Sequence, residues 1–202
     1  MTALLSIPAR LCALTIFVIA GISLRTQFDV SEAVLGFPSV ATTLWLMSGY
    51  FTILTNLAVA LMMAGAATRF PPGARLAGAL TLAIVMVGVV YHLILAQLWA
   101  PVGMAWWADQ GLHTAVPVLT FLWWLAFAPK SVGVTDLPYW LIWPTGYAGY
   151  AVIRGTATGF WAYPFVDVGS LGWPAVALNV VVLVAGFAGL GLGLITIARR
   201  LA

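Results

Sequence analysis

Charged residues are so scarce in this chain that most of it cannot face water. Lys, Arg, Asp and Glu make up 6% of its 202 residues, whereas they make up about a quarter of a typical soluble domain. The hydrophobic share is 63% and the mean hydropathy is +1.09. These values exclude a soluble globular domain and a disordered chain, and the lack of apolar–polar alternation argues against an outer-membrane barrel. We therefore expect an all-α polytopic membrane protein.

Apolar segments of the length of a membrane-spanning helix recur along the whole chain. Such a helix needs about 20 residues. The breaks between the segments hold almost all the charged residues and many of the prolines, as is typical of helix ends. The segments cover residues 8–24, 40–66, 76–99, 112–128, 138–154 and 173–197. The sequence therefore predicts a single six-helix transmembrane domain over residues 1–202.

The positions of Lys and Arg set the expected orientation of these helices. With the N-terminus inside, six of the eight Lys and Arg residues lie on the inner side, and only Arg25 and Arg154 lie on the outer side. Cytoplasmic loops of membrane proteins are enriched in Lys and Arg, so both termini are expected to be cytoplasmic. The basic residues are scattered singly at loop positions, which does not indicate a nucleic-acid partner.

Polar residues inside the apolar segments are the first candidates for a functional site, because they are costly in hydrocarbon. Thr52, His92, His113 and Arg154 each lie 17 or 18 residues from a charged residue that is expected at the inner surface. At about 1.5 Å per residue, all four lie about 26 Å above that surface, in the outer third of the membrane. The sequence thus predicts a polar layer beneath the long outer loop.

Structural explanations exist for each of these residues taken singly. A membrane Thr commonly bonds to its own backbone, a lone His can be a packing residue, and an Arg can extend to lipid headgroups. Thr55 and Asn56 share a helical face with Thr52.

Two His without an intramembrane carboxylate make a poor metal site, and one cysteine forms no cluster. We therefore expect no metal and no soluble cofactor.

A hydroxyl beside an imidazole is the minimum that nucleophilic acyl transfer requires. The imidazole removes the hydroxyl proton and later protonates the leaving group. A carboxylate from an outer loop, Asp109 or Asp167, can fix the imidazole tautomer. Arg154, Asn56 or backbone N–H groups can hold the oxyanion. The predicted polar layer therefore has the parts of an ester hydrolase.

Three stretches of the chain carry a resemblance to a known family. They are residues 50–57 (YFTILTNL), 111–116 (GLHTAV) and 159–165 (GFWAYPF). With these stretches in this order, the chain resembles a bacterial member of the androgen-induced and androgen-dependent six-pass membrane proteins. The resemblance implies hydrolysis of fatty acid esters of hydroxy fatty acids by an intramembrane Thr and a His. It also implies a bacterial cytoplasmic membrane location, with membrane lipids and a lipid ester as partners.

The resemblance places the family's nucleophile on Thr52 and its His on His113. Animal members have an acidic or amide residue three positions after the Thr, whereas this chain has Thr55 there and Asn56 next. Thr55 therefore stays a second candidate for the nucleophile. His92 has no counterpart in the animal members.

The sequence thus predicts a Thr–His hydrolase of lipid-like esters with a pocket in the outer half of the membrane. The alternative is a non-catalytic membrane protein, either a lipid-binding scaffold or a subunit of a larger complex, and a homo-oligomer is compatible with both. A transporter is favoured less, because no inverted repeat is visible. The catalytic candidates are Thr52 and His113, and the supporting candidates are Thr55, Asn56, His92, Asp109, Arg154, Tyr163 and Asp167.

Overall fold

The computed structural model describes residues 5–201, and helices make up most of that range, with no strand in it. The all-α prediction is therefore confirmed. The α-helices are α1 (Ile7–Val34), α2 (Val40–Met47), α3 (Phe51–Ala67), α4 (Ala74–Val90), α5 (Met104–Gln110), α6 (Val116–Phe127), α7 (Leu137–Thr158), α8 (Val168–Leu171) and α9 (Trp173–Leu201). The π-helical segment Tyr91–Leu95 continues α4, and a second one, Gly111–Ala115, joins α5 to α6. Short 3-10 turns at Val134–Asp136 and Pro164–Val166 precede α7 and α8.

Three helices of the described chain are each long and apolar enough to cross a membrane: α1, α4 with its π continuation, and α9. Large apolar side chains such as Leu11 and Val181 are exposed along them, as expected for helices that face lipid. Helices α2 and α3 form a fourth candidate if they count as one span. The protein therefore has three or four candidate spans, and the other predicted spans stay predictions.

The fourth and fifth predicted spans lack the length or the apolar character of α1, α4 and α9. The fourth predicted span, 112–128, is divided between the π segment Gly111–Ala115 and the 12-residue α6. Helix α7 has 22 residues but includes several Tyr, Gly and Pro residues and a buried Arg. Such residues lower hydropathy without preventing a helix from being enclosed by others.

The second predicted span is not continuous, and this corrects the sequence interpretation of residues 40–66. Helices α2 and α3 meet at an angle of 97°, with the break at residues 48–50. A Cβ at Gly49 would lie 2.5 Å from the Phe160 ring and 2.8 Å from Arg154 Nη1, so only glycine fits at the break. Non-helical backbone at membrane depth is tolerated where protein encloses it or where it lines a cavity.

The buried core lies where α1, α3, α4 and α6 meet. Ala13 and Ala20 are fully buried and let α1 approach α3 closely. Trp123 of α6 is buried in the same core. The guanidinium of Arg10 donates a 3.0 Å hydrogen bond to the carbonyl of Ala67 at the end of α3. This contact fixes α1 and α3 as antiparallel neighbours.

The segment between α7 and α9 folds back over one end of the bundle. Gly159 ends α7 with φ +73°, a left-handed conformation that favours glycine. The side-chain amide of Asn179 in α9 donates to the carbonyl of Phe165 at 2.8 Å. These contacts hold Tyr163 above the start of α3.

Candidate active site

Thr52 is the second residue of α3, directly after the break that separates α3 from α2. The first backbone N–H groups of a helix have no intrahelical partner, and they form the positive end of its dipole. The Thr52 N–H donates to the Tyr163 hydroxyl at 3.4 Å, and the Thr52 side chain is largely buried. The Thr52 hydroxyl therefore lies where a developing negative charge is stabilised.

The hydroxyl of Thr52 contacts the imidazole of His113. Thr52 Oγ1 lies 3.4 Å from His113 Nε2 and 3.5 Å from the Tyr163 hydroxyl. His113 comes from the π segment Gly111–Ala115, 61 positions further along the chain. Hydrogen bonds between catalytic groups are often this long before substrate binds. The two residues that counting placed at one depth are thus neighbours.

The other ring nitrogen of His113 faces Asp109, which is 1% exposed. Nδ1 donates to the backbone carbonyl of Asp109 at 3.1 Å, and the carboxylate oxygen Oδ1 lies at the same distance from Nδ1 without a hydrogen bond to it. Both partners are acceptors, so we assign the ring proton to Nδ1. Nε2 then presents a lone pair to Thr52, as a general base requires.

Tyr91 contacts both Asp109 and His113, although the sequence analysis did not single it out. Its hydroxyl donates to Asp109 Oδ2 at 2.5 Å, and its ring stacks on the imidazole with centroids 3.9 Å apart and planes 13° apart. The signal that could have found Tyr91 is its place in the sequence next to His92, at the predicted depth of the polar layer.

Asn56 connects α3 to the segment that carries His113. Its side-chain amide donates to the carbonyls of Thr52 at 2.9 Å and of Leu112 at 3.2 Å. Both amide protons are used in these two bonds, so neither is left for an oxyanion. Asn56 therefore holds the two elements of the site together.

Thr55 is fully buried but has a different partner from Thr52. Its hydroxyl oxygen accepts a 3.0 Å hydrogen bond from the indole N–H of Trp143 in α7. An indole N–H donates only, so it cannot remove a proton from a hydroxyl. The surroundings of Thr55 thus lack the base that Thr52 has.

Two of the predicted supporting residues have their hydrogen bonds elsewhere. His92 is exposed, and its Nε2 lies 3.0 Å from the hydroxyl of Thr114. The carboxylate of Asp167 accepts from the Ser170 hydroxyl at 2.6 Å and from the Ser170 N–H at 3.1 Å. These bonds hold the pKa of Asp167 below its usual range. Asp167 caps the short helix α8, and the carboxylate beside His113 is that of Asp109.

Arg154 is 95% buried, but it lies in a cluster of its own. Its guanidinium donates to the Trp45 carbonyl at 2.6 Å, to the Tyr150 hydroxyl at 2.8 Å and to the Ser48 hydroxyl at 3.1 Å. It also lies over the Trp45 ring at 4.2 Å. Arg154 therefore stabilises the break between α2 and α3. Its hydrogen bonds in the described structure do not include one to Thr52.

Two cavities meet at Thr52 and Tyr163. The larger has a volume of about 410 Å³, lies against the C-terminal halves of α1 and α2, and includes His113 in its wall. The smaller, about 80 Å³, runs between α4, α7 and α9 and has an almost wholly apolar lining, with Phe187 among its residues. Apolar walls with a few polar groups at one point are typical of sites that bind small molecules.

Neither a metal site in the described residues nor a similar protein gives further information on the function of this site. Within residues 5–201, no three His, Cys, Asp or Glu side chains are placed to hold a metal ion. Comparisons of the chain with protein-family models, with curated proteins and with solved structures find no match. The resemblance to the androgen-induced family stays a prediction, and the function has to follow from the site itself.

Proposed function

We propose that this chain is an intramembrane hydrolase of lipid-like esters, with Thr52 as the nucleophile and His113 as its base. The observation that carries the proposal is the buried series of contacts from the Thr52 hydroxyl through both nitrogens of His113 to Asp109. Hydroxyl, imidazole and carboxylate in this order recur in acyl-transfer enzymes on unrelated folds. The narrower substrate class, fatty acid esters of hydroxy fatty acids, rests on the sequence resemblance.

The reaction has two steps that both use His113. In the first, Nε2 takes the proton of Thr52 as Oγ1 bonds to the ester carbonyl carbon. The bond from that carbon to the alcohol oxygen then breaks, and His113 gives the proton to the alcohol. In the second step water attacks the acyl-threonine, His113 accepts the water proton, and that proton returns to Thr52 as the fatty acid leaves.

The oxyanion of the tetrahedral intermediate is assigned to the hydroxyl of Tyr163. The Tyr163 hydroxyl accepts from the Thr52 N–H, so its own proton remains for donation. The sequence analysis considered Arg154 and Asn56 for this role. Asn56 uses both amide protons on backbone carbonyls, and Arg154 donates to residues around the helix break.

The membrane setting is part of the proposal. Six spans with both termini in the cytoplasm, in a bacterial cytoplasmic membrane, would place the polar layer in the outer half of the bilayer. The ester would then enter laterally from the lipid. The apolar cavity between α4, α7 and α9 suits only the first few methylene groups of an acyl chain, and the larger cavity suits the alcohol side.

Covalent labelling tests the proposal. The purified protein in detergent micelles is treated with a long-chain alkyl fluorophosphonate, and the modified residue is located by mass spectrometry. We expect one modification, on Thr52. Thr52→Val should abolish it, and the matched variant Thr55→Val should retain it. Absence of labelling, together with absence of acyl ester hydrolysis, would favour the non-catalytic scaffold or complex subunit instead.

A further inference from the structure

Tyr91 makes two contacts that act on different members of the Thr52 site. The flat stack of its ring on His113 restricts rotation of the imidazole, and its hydroxyl bond to Asp109 Oδ2 restricts rotation of the carboxylate. The other described donor to Oδ2 is the amide of Gln110 at 3.4 Å, a much longer bond. One side chain thus holds both the base and the group that orients it.

The backbone around Tyr91 is built for this close approach. Tyr91 begins one π segment and His113 lies in the other. A π-helical turn contains an extra residue and redirects the side chains after it, and such turns are frequent at functional sites. Helix α4 reaches the second segment at Gly88, where a Cβ would lie 3.2 Å from the His113 carbonyl oxygen. The two irregular turns therefore pack against each other at the site.

We infer that Tyr91 is a positioning residue that keeps the proton of His113 on Nδ1 and the lone pair of Nε2 directed at Thr52. This inference rests on the proposed hydrolase function. The hydroxyl of Tyr91 fixes the Asp109 carboxylate 3.1 Å from Nδ1, where its negative charge favours a proton on that nitrogen, and the stacked ring sets the plane of the imidazole. Tyr91 also lines the larger cavity, but the role inferred for it acts on the reaction through His113.

Conservative variants separate the hydroxyl of Tyr91 from its ring. Tyr91→Phe keeps the stack and removes the bond to Asp109, whereas Tyr91→Leu removes both. A hydrogen bond to a charged group corresponds to about a 10- to 100-fold effect. We expect kcat for a chromogenic acyl ester to fall by about that factor in Tyr91→Phe and further in Tyr91→Leu, with KM unchanged. The matched control Tyr139→Phe, at an exposed tyrosine of α7, should leave kcat unchanged.

The tautomer of His113 gives a readout that a packing role would not change. In a His92→Gln background His113 is the only histidine, so its two ring nitrogens are resolved by ¹⁵N NMR of histidine-labelled protein. We expect a protonated Nδ1 and an unprotonated Nε2, and a mixture of tautomers after Tyr91→Phe. An unchanged tautomer overturns the inference even where kcat falls, because lost packing then explains the fall.

The same measurement keeps this inference separate from the proposed function. If the wild-type protein neither hydrolyses esters nor reacts with the fluorophosphonate, the hydrolase proposal fails. The tautomer comparison between Tyr91 and its Phe variant still decides whether Tyr91 orients His113. A fixed tautomer that is lost in Tyr91→Phe supports the inference in that case as well.

Discussion

The hydroxyl oxygen of Thr52 lies 3.4 Å from Nε2 of His113, with the first residue at the start of a helix and the second in a π-helical turn. Neither element is regular where it carries its residue. The contact is maintained by the amide of Asn56 and by the ring of Tyr91, which bind the segment around His113 from two sides. Irregular backbone therefore brings the hydroxyl and the imidazole together, and the side chains of Asn56 and Tyr91 fix them there.

The first prediction concerns Thr52 and His113 as a unit. Thr52→Val keeps the side-chain shape and removes the hydroxyl, and His113→Gln removes the base, so each should lower kcat/KM for an acyl ester by about 10³-fold or more. The double variant should be little worse than either single variant, because groups that act together lose function non-additively. Steady-state kinetics in detergent micelles measure all three.

Serine and the neighbouring threonine provide the controls for this prediction. Thr52→Ser keeps the hydroxyl and should retain partial activity. Thr55→Val should have a milder effect, because Thr55 binds the indole of Trp143 and no imidazole. Loss of activity in Thr55→Val with retention in Thr52→Val would assign the nucleophile to Thr55. Full activity in both variants would make this polar face structural.

The second prediction concerns the amide of Asn56. Asn56→Leu has a similar volume but removes the two side-chain hydrogen bonds to the carbonyls of Thr52 and Leu112. A buried hydrogen bond contributes about 0.5 to 1.5 kcal/mol, so the melting temperature should fall, and activity should fall with it as α3 and the His113 segment separate.

A bond at the other end of α3 provides the comparison for Asn56. Arg10→Met removes the 3.0 Å bond between α1 and the last residue of α3, and so costs stability away from the Thr52–His113 contact. At equal loss of melting temperature, Asn56→Leu should lose more activity than Arg10→Met. Equal activity in the two variants would contradict a positioning role for Asn56.

Counting residues from the charged loop positions placed Thr52 and His113 at one height because it measures distance along the helix axes. It could not separate them from His92 and Arg154, since height says nothing of the direction in which a side chain points around its helix. His92 has the same count as His113, yet it is exposed and contacts Thr114. Direction around the axis depends on packing between helices, which the hydropathy pattern does not record.

The irregular turns were also beyond the sequence analysis. The bend of 97° lies at residues 48–50, inside the apolar run 40–66. No charged residue or proline occurs at these positions, so hydropathy predicts a continuous helix. The bend depends on Gly49 fitting against Phe160 and Arg154, residues more than 100 positions away. Likewise, the hydropathy pattern does not mark the π segments, which lie where Tyr91 stacks on His113.

The third prediction concerns pH and the carboxylate of Asp136, just before α7. The backbone N–H of Gly133 and the guanidinium of Arg75 donate to it and hold the pKa of Asp136 below its usual range. Because the folded state has the lower pKa, this stabilisation is complete above the unfolded pKa, about 3.9, and is lost as pH falls through the folded pKa. Between pH 6 and pH 3, the melting temperature of the wild type should therefore fall more than that of Asp136→Asn. Parallel curves for the two proteins would contradict this role.

The fourth prediction concerns orientation in the membrane, which the six-to-two division of Lys and Arg sets. Single cysteines are introduced in a Cys12→Ser background, since Cys12 is the only native cysteine. Gly73 suits the inner loop because it is exposed and a Cβ there meets nothing within 4 Å, and Ala33, also exposed, suits the outer end of α1. In intact cells a membrane-impermeant maleimide should label Ala33→Cys, and it should label Gly73→Cys only after the membrane is opened. The reverse pattern would place both termini outside and would move the Thr52 site to the cytoplasmic half of the bilayer.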